Sequence, residues 1–170
     1  MTAEPNGKLF RTNGARTLEI SRTFRAPIEE VWAALTESER TGRWIGTWTG
    51  DAGPGKTIDF IMTSEGVTEP SPVTITECEP PRLLALDMAS PGGVWRIRVA
   101  LTEKDSSTTA VFHHHLGDED DIADIGPGWE YYFDRLIASM NDADMPNWDD
   151  YYPAQKDFYA SLTPADDLAQ

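Results

Sequence analysis

The sequence predicts an α+β fold in which a curved antiparallel sheet of about seven strands wraps around one long C-terminal helix. Two observations lead to this prediction. Residues 126–141 carry apolar and aromatic side chains at helical spacing, which indicates a helix with a wide apolar face. Residues 45–116 form short alternating segments, about ten residues apart and separated by turn residues. Because the helix needs a broad apolar partner, we expect the sheet to cover it.

The first strand is predicted over residues 16–25, where Leu18, Ile20, Arg22 and Phe24 share one face. Pro27 suits the first turn of a helix, so two short helices are expected over residues 28–35 and 38–44. The remaining strands are predicted at 47–50, 56–63, 73–78, 82–88, 94–101 and 108–116. Pro127 is expected in the first turn of the long helix, preceded by the acidic block 118–121, which complements the helix dipole.

Three segments are expected along the chain. Residues 1–14 are polar and carry Pro and Gly, and they are predicted to be a loose lead-in. Residues 15–145 form the folded domain. Residues 146–170 are too aromatic for a free tail, so they are predicted to pack on the domain or on a second subunit, which would make a homodimer.

Composition narrows the classes of partner. The net charge is −15, and so acidic a surface disfavours both nucleic acids and anionic membranes. The sequence contains no apolar run of the roughly 18–20 residues that a membrane span needs, and residues 1–15 lack the apolar core of a signal peptide. The single cysteine, Cys78, cannot form an internal disulfide, which is typical of the cytoplasm, and we interpret it as structural.

Three consecutive histidines invite a metal hypothesis. On a strand His113 and His115 face one way and His114 the other, so at most two ligands converge, and neither a cysteine nor an acid is placed by motif to add another. The acidic block lacks the glycine and the spacing of a calcium loop. We therefore predict no metal and no cofactor.

The space between the sheet and the helix is predicted to be a ligand cavity, because a helix does not fill a strongly curved sheet. His114 and Arg22 both face inward on neighbouring strands, so one interpretation is that they line a polar corner that anchors a carboxylate, phenolate or carbonyl. We favour the other interpretation, that Arg22 pairs with an internal acid such as Glu130 or Asp87 or lies at the rim with its stem buried, because a buried charge usually has a protein partner. The predicted cavity residues are Arg22, Trp44, Phe60, Met62, Trp95, Ile97, Phe112, His114, Trp129, Tyr132, Phe133 and Leu136.

Three stretches carry a family resemblance: RTFRAPIEEVWAALTESERTGRWIG at 22–46, EPPRLLAL at 79–86 and GWEYYFDRL at 128–136. Over residues 16–142 the chain resembles the START-like SRPBCC superfamily, and within it the homologues of the activator of heat-shock protein 90 ATPase. The resemblance implies a helix-grip fold with a cavity between the sheet and the long helix. The tail from residue 146 lies outside the common pattern.

Three functions are compatible with the sequence. The first is binding of a small apolar or aromatic molecule in the cavity. The second is enzymatic, of the cyclase, dehydratase or hydrolase kind, with His114 as acid or base and Arg22 as oxyanion stabiliser. The third, a chaperone-related interaction protein, rests on the family name alone.

Overall fold

The computed structural model describes residues 4–166, which form one mainly antiparallel sheet with four α-helices. The strands are β1 (Lys8–Thr12), β2 (Ala15–Phe24), β3 (Thr47–Thr49), β4 (Thr57–Ile61), β5 (Ser71–Glu79), β6 (Leu83–Ser90), β7 (Gly93–Lys104), β8 (Ser107–Leu116) and β9 (Ala165–Asp166). The helices are α1 (Ile28–Thr36), α2 (Ser38–Thr41), α3 (Ile122–Met140) and α4 (Lys156–Ala160), and single 3₁₀ turns lie at Thr63–Glu65 and Trp148–Asp150.

The sheet confirms the predicted architecture. Its order is β3-β4-β5-β6-β7-β8-β2-β1-β9, so the chain meanders from β3 to β8 and then places β2 beside β8. Only the short β1–β9 contact is parallel among the described pairings. The concave face packs on α3, whose buried side includes Trp129, Phe133 and Leu136. The fold is therefore a helix-grip α+β fold with two short helices inserted after β2.

The N-terminal segment differs from the prediction. Residues 8–12, expected in a loose lead-in, form β1, which pairs antiparallel with β2 and buries Leu9. The two strands are joined at Asn13 and Gly14, which both have positive φ, 52° and 83°. An Asn-Gly pair with this backbone favours a tight hairpin, because its twist matches that of the flanking strands. The formation of β1 is therefore explained by the turn sequence at Asn13 and Gly14 rather than by the apolar content of the segment.

The long helix begins a turn earlier than predicted. Asp121 is its N-cap, and its side chain accepts a hydrogen bond from the backbone N–H of Ala123 at 2.9 Å. Pro127 consequently lies inside the helix rather than in its first turn. A proline there removes one backbone hydrogen bond, so the cap and the burial of the helix face have to offset that loss.

Part of the tail packs on the domain. Tyr159 of α4 is fully buried, and its ring fills space left by two glycines: a Cβ on Gly7 would lie 2.1 Å from its Oη, and one on Gly126 would lie 2.4 Å from its Cδ1. Tyr151 is also buried, and its hydroxyl donates to Asp134 at 2.6 Å. Met145, Trp148 and Phe158 remain exposed. Within the described residues, no helix is long and apolar enough to cross a membrane.

Candidate functional site

A cavity of about 250 Å³ lies between the concave face of the sheet, the middle of α3 and the α1–α2 segment. Its wall is almost entirely apolar. The strands β4 to β7 supply its floor, α3 supplies its roof, and the β3–β4 loop lies at one end. The wall consists of Leu35, Thr36, Thr41, Trp44, Ile45, Trp48, Ala52, Gly53, Ile58, Phe60, Val73, Ile75, Cys78, Leu84, Leu86, Met88, Ile97, Val99, Phe112, Trp129 and Phe133.

Half of the residues predicted for the cavity lie in its wall. These are Trp44, Phe60, Ile97, Phe112, Trp129 and Phe133. Met62 and Trp95 are half-buried and pack against the core instead, and Leu136 is fully buried in that core. Tyr132 is directed toward the 3₁₀ turn at Thr63–Glu65, where its hydroxyl donates to Glu65 at 2.7 Å.

Hydrogen bonds within the protein hold the tryptophan side chains of the wall in place. The indole N–H of Trp44 donates to the carbonyl of Ala34, and that of Trp48 donates to the carbonyl of Thr36, each at 2.9 Å. Both acceptors lie in α1, so these bonds fix the two indoles against that helix. The rings of Trp129 and Phe112 pack at a centroid distance of 4.6 Å, and they close the β8 side of the cavity.

His114 lies just behind this wall. It is fully buried, and its Nδ1 accepts a hydrogen bond from the Trp129 indole N–H at 3.1 Å. Its cross-strand neighbour is Ile97, which lines the cavity, and Trp95 covers its ring at a centroid distance of 4.8 Å. Burial lowers the pKa of His114 to about 4, so the imidazole is neutral near pH 7. The side chain thus supports the wall but is not part of it.

Arg22 pairs with internal acids, as the favoured interpretation has it, and does not form a polar corner with His114. Its guanidinium donates to the carboxylates of Glu130 and Asp134 on α3, the latter at 2.9 Å. Burial lowers the pKa of Arg22, but the two carboxylates outweigh that effect and raise it overall. In the β2–β8 register Arg22 pairs with Ala110, whereas His114 pairs with Leu18. Four residues along a strand correspond to about 13 Å, so the two side chains occupy different ends of the sheet.

Comparisons with known proteins show to which family the chain belongs. The sequence profile of the family described as Activator of Hsp90 ATPase homolog 1-like protein matches residues 25–141. The chain belongs to this family. A comparison with the curated proteins finds no match.

Solved structures similar to this family member share its fold over nearly its whole length. The crystal structure of CalU16 from Micromonospora echinospora has a TM-score of 0.75 and 25% identity, covering 94% of this chain and 96% of that one. A protein from Bordetella parapertussis has a TM-score of 0.73 and 22% identity, covering 95% and 93%. DynU16, described as a protein in the dynemicin biosynthetic locus, has a TM-score of 0.64 and 18% identity, covering 81% of this chain and 50% of its own.

Sequence reasoning missed several residues of the cavity wall. Cys78, interpreted as structural, lines the cavity beside Leu84. A β-bulge between Ile75 and Glu77 shifts the register of β5, which brings Cys78 to the same level as Leu84 and Val99. Simple alternation from Ile75 does not predict this placement. The inward positions of β6 could have been predicted, since alternation puts Leu84, Leu86 and Met88 on one face.

The outward histidines lie on the convex face of the sheet. His113 Nε2 lies 2.9 Å from a carboxylate oxygen of Glu19, and His115 Nδ1 lies 3.1 Å from the hydroxyl of Thr17. Burial, together with His113, Arg98 and Arg96, lowers the pKa of His115. Among residues 4–166 no group of three or more histidine, cysteine, aspartate or glutamate side chains is placed to hold a metal ion.

Proposed function

We propose that this protein binds a small apolar or aromatic molecule in the cavity between its sheet and α3. The observation that carries the proposal is the apolar cavity of about 250 Å³ with tryptophan and phenylalanine in its wall. An apolar cavity of about 150 Å³ stays dry and accepts benzene. A larger cavity of the same character has room for a bicyclic aromatic ligand, and aromatic walls favour planar ligands.

The composition of the wall supports binding over acid–base catalysis. The enzymatic hypothesis assigned the acid or base to His114 and oxyanion stabilisation to Arg22. Arg22 is engaged by Glu130 and Asp134, and His114 lies behind Trp129. Among the described residues the wall contains no histidine, aspartate, glutamate, lysine or arginine side chain. We therefore favour a carrier or sensor, and the single cysteine supports a cytoplasmic location.

Cys78 gives a direct test, because the only thiol of the chain lies in the wall. The rate of its alkylation by a small maleimide is measured with and without naphthalene as the probe. Binding is expected to slow alkylation of the native protein in a saturable way. Leu86→Trp, which fills the cavity, should abolish the protection. Val67→Trp, at an exposed site outside it, should leave the protection unchanged.

The contradicting result is clear: equal alkylation rates at all naphthalene concentrations, together with no naphthalene signal in isothermal titration. As an independent test, native mass spectrometry of the protein purified from its own host detects any retained molecule directly. A bound mass that disappears in Leu86→Trp supports the proposal and names the ligand.

We also propose a homodimer formed through the tail. Because Tyr151 and Tyr159 are used within the chain, its contacts would come from the exposed Trp148 and Phe158. Replacing both with serine should reduce the mass in light scattering from dimer to monomer. A monomeric mass for the native protein would contradict the proposal.

A further inference from the structure

The three tryptophans of the cavity wall each donate their indole N–H to a partner within the protein. Trp44 and Trp48 donate to carbonyls of α1, and Trp129 donates to the imidazole of His114 at 3.1 Å. An indole N–H is a donor that usually finds a partner when it is buried. Since each already has a partner within the protein, none is left for a ligand.

The hydroxyl groups of the wall are engaged in the same way. Thr36 donates to the carbonyl of Trp32 at 2.8 Å, and Thr41 donates to the carbonyl of Ser38 at 3.1 Å. The remaining side-chain heteroatoms in the described wall are the sulfurs of Cys78, whose S–H is a weak donor, and Met88, whose thioether has no hydrogen to donate. The described wall therefore holds no strong side-chain donor that is free to bind a polar atom of a ligand.

We infer that the cavity selects aromatic hydrocarbons over ligands with buried hydrogen-bonding atoms. His114 sets this selectivity by accepting the hydrogen bond of the Trp129 indole N–H, which is then not available to a ligand. This inference rests on the proposed function and specifies the ligand class. His114 acts through Trp129, so it is a positioning residue. Trp44 and Trp48 are bonded to backbone carbonyls, which no side-chain change removes, whereas the bond of Trp129 depends on one side chain.

The environment of His114 suits this role. Its Nδ1 can accept only while the imidazole is neutral, and burial, which lowers its pKa to about 4, keeps it neutral across the ordinary pH range. The tautomer that accepts at Nδ1 carries its proton on Nε2, which has no hydrogen-bond partner among the described residues. Trp95 covers the ring, and His114 is not part of the wall. The Nε2–H is thereby kept out of the cavity as well.

The test compares naphthalene with quinoline, which has the same shape and one ring nitrogen as an acceptor. The ratio of their dissociation constants is measured at neutral pH by isothermal titration. In the native protein naphthalene binds more tightly. In His114→Leu the freed indole N–H can donate to quinoline, so we expect the preference for naphthalene to fall about tenfold, the effect of one hydrogen bond.

Two variants separate this role from simple packing. His114→Gln supplies an amide oxygen that can accept from Trp129, so it should keep the native ratio. His114→Leu combined with Trp129→Phe removes the N–H itself, so the ratio should return towards the native value. A packing defect would change the affinity for both probes together and leave their ratio unchanged.

Each result is decisive. Binding of both probes with the same ratio in the native protein and in His114→Leu overturns the inference but leaves the proposed function intact. Binding of neither probe by the native protein overturns the proposed function. If His114→Leu does not fold, nitrogen–proton NMR of the native protein decides: the indole N–H resonance of Trp129 should move equally with either probe, and an additional downfield shift with quinoline overturns the inference.

Discussion

Arg22 on β2 and Glu130 on α3 form an ion pair in which the carboxylate is completely buried. Glu130 also accepts hydrogen bonds from the backbone N–H groups of Asn6 and Gly7, at 2.8 and 3.0 Å, and from the hydroxyl of Tyr159. One side chain thus joins the N-terminal segment, the sheet, the long helix and the tail. A buried carboxylate with this many donors is well compensated, and loss of its charge leaves those donors without an adequate partner.

Glu130→Gln is therefore expected to destabilise the fold by about 3 kcal/mol or more, because Arg22 loses its buried counterion and the four donors meet a neutral amide. Urea unfolding followed by fluorescence measures the change in the free energy of unfolding. Glu29→Gln, at an exposed position in the first turn of α1, is the matched control and should change it by less than about 0.5 kcal/mol. Equal effects of the two substitutions would show that the buried network contributes no stability.

Tyr159→Phe tests the attachment of the tail. Burial and Glu130 raise the pKa of Tyr159, so its hydroxyl stays protonated and donates to the carboxylate. Removing that donor should cost about 1.5–3 kcal/mol, the range for hydrogen bonds to charged groups. Tyr152→Phe, whose hydroxyl bonds the exposed Asp124, is expected to cost far less. Urea unfolding measures the two losses of stability. Limited proteolysis should cut the tail sooner in Tyr159→Phe than in Tyr152→Phe, and a different order of the two variants in either assay would contradict the attachment.

The sequence predicted the meander, the two inserted helices and the long helix because each depends on local periodicity. The complete burial of Glu130 does not follow from local periodicity. The helical pattern placed Glu130 opposite the apolar face, which is correct for the sheet, but the N-terminal segment and the tail cover that second side. Burial by segments distant in the sequence leaves no mark in the spacing of residues along a helix.

The cavity residues show the same difference between features set by local periodicity and features set by distant parts of the chain. Alternation identified the inward faces of β4, β7 and β8, and six predicted residues lie in the wall. The position of Arg22 relative to His114 depended on the register between β2 and β8, which single-strand alternation does not contain. Cys78 depended on a bulge in β5, which is also a property of strand pairing. The face of the sheet on which a residue lies was therefore predictable, whereas its pairing with residues of the neighbouring strand was not.

Two glycines with open surroundings should respond to alanine in opposite directions. Gly14 adopts φ of +83° in the β1–β2 turn, and Gly128 lies within α3; in both, a Cβ would meet no atom within 4 Å. Gly14→Ala should destabilise by about 1–2 kcal/mol through backbone strain, because an L-residue disfavours this conformation. Gly128→Ala should stabilise by about 0.5–1 kcal/mol, because alanine is the better helix former. Thermal and urea unfolding of the two variants should show opposite signs, and a shared sign would contradict the assigned turn or helix.

His114 predicts a dependence of stability on pH. Burial lowers its pKa in the folded protein from 6.5 to about 4, with Asp120 opposing the shift and His115 adding to it. Between these two pH values the unfolded chain binds the proton more readily than the folded one, so stability falls as the pH is lowered from 6.5 to 4 and this contribution levels off below 4. A difference of this size corresponds to at most about 3 kcal/mol.

The carboxylates titrate in the same range, so the measurement has to be a difference between two proteins. The free energy of unfolding of the native protein is compared with that of His114→Gln at a series of pH values. The advantage of the native protein should be greatest near neutral pH and should shrink by up to about 3 kcal/mol on acidification. A difference that stays constant with pH, or an NMR titration of the imidazole centred near its ordinary value, would show that His114 is open to water and that the wall in front of it is not closed.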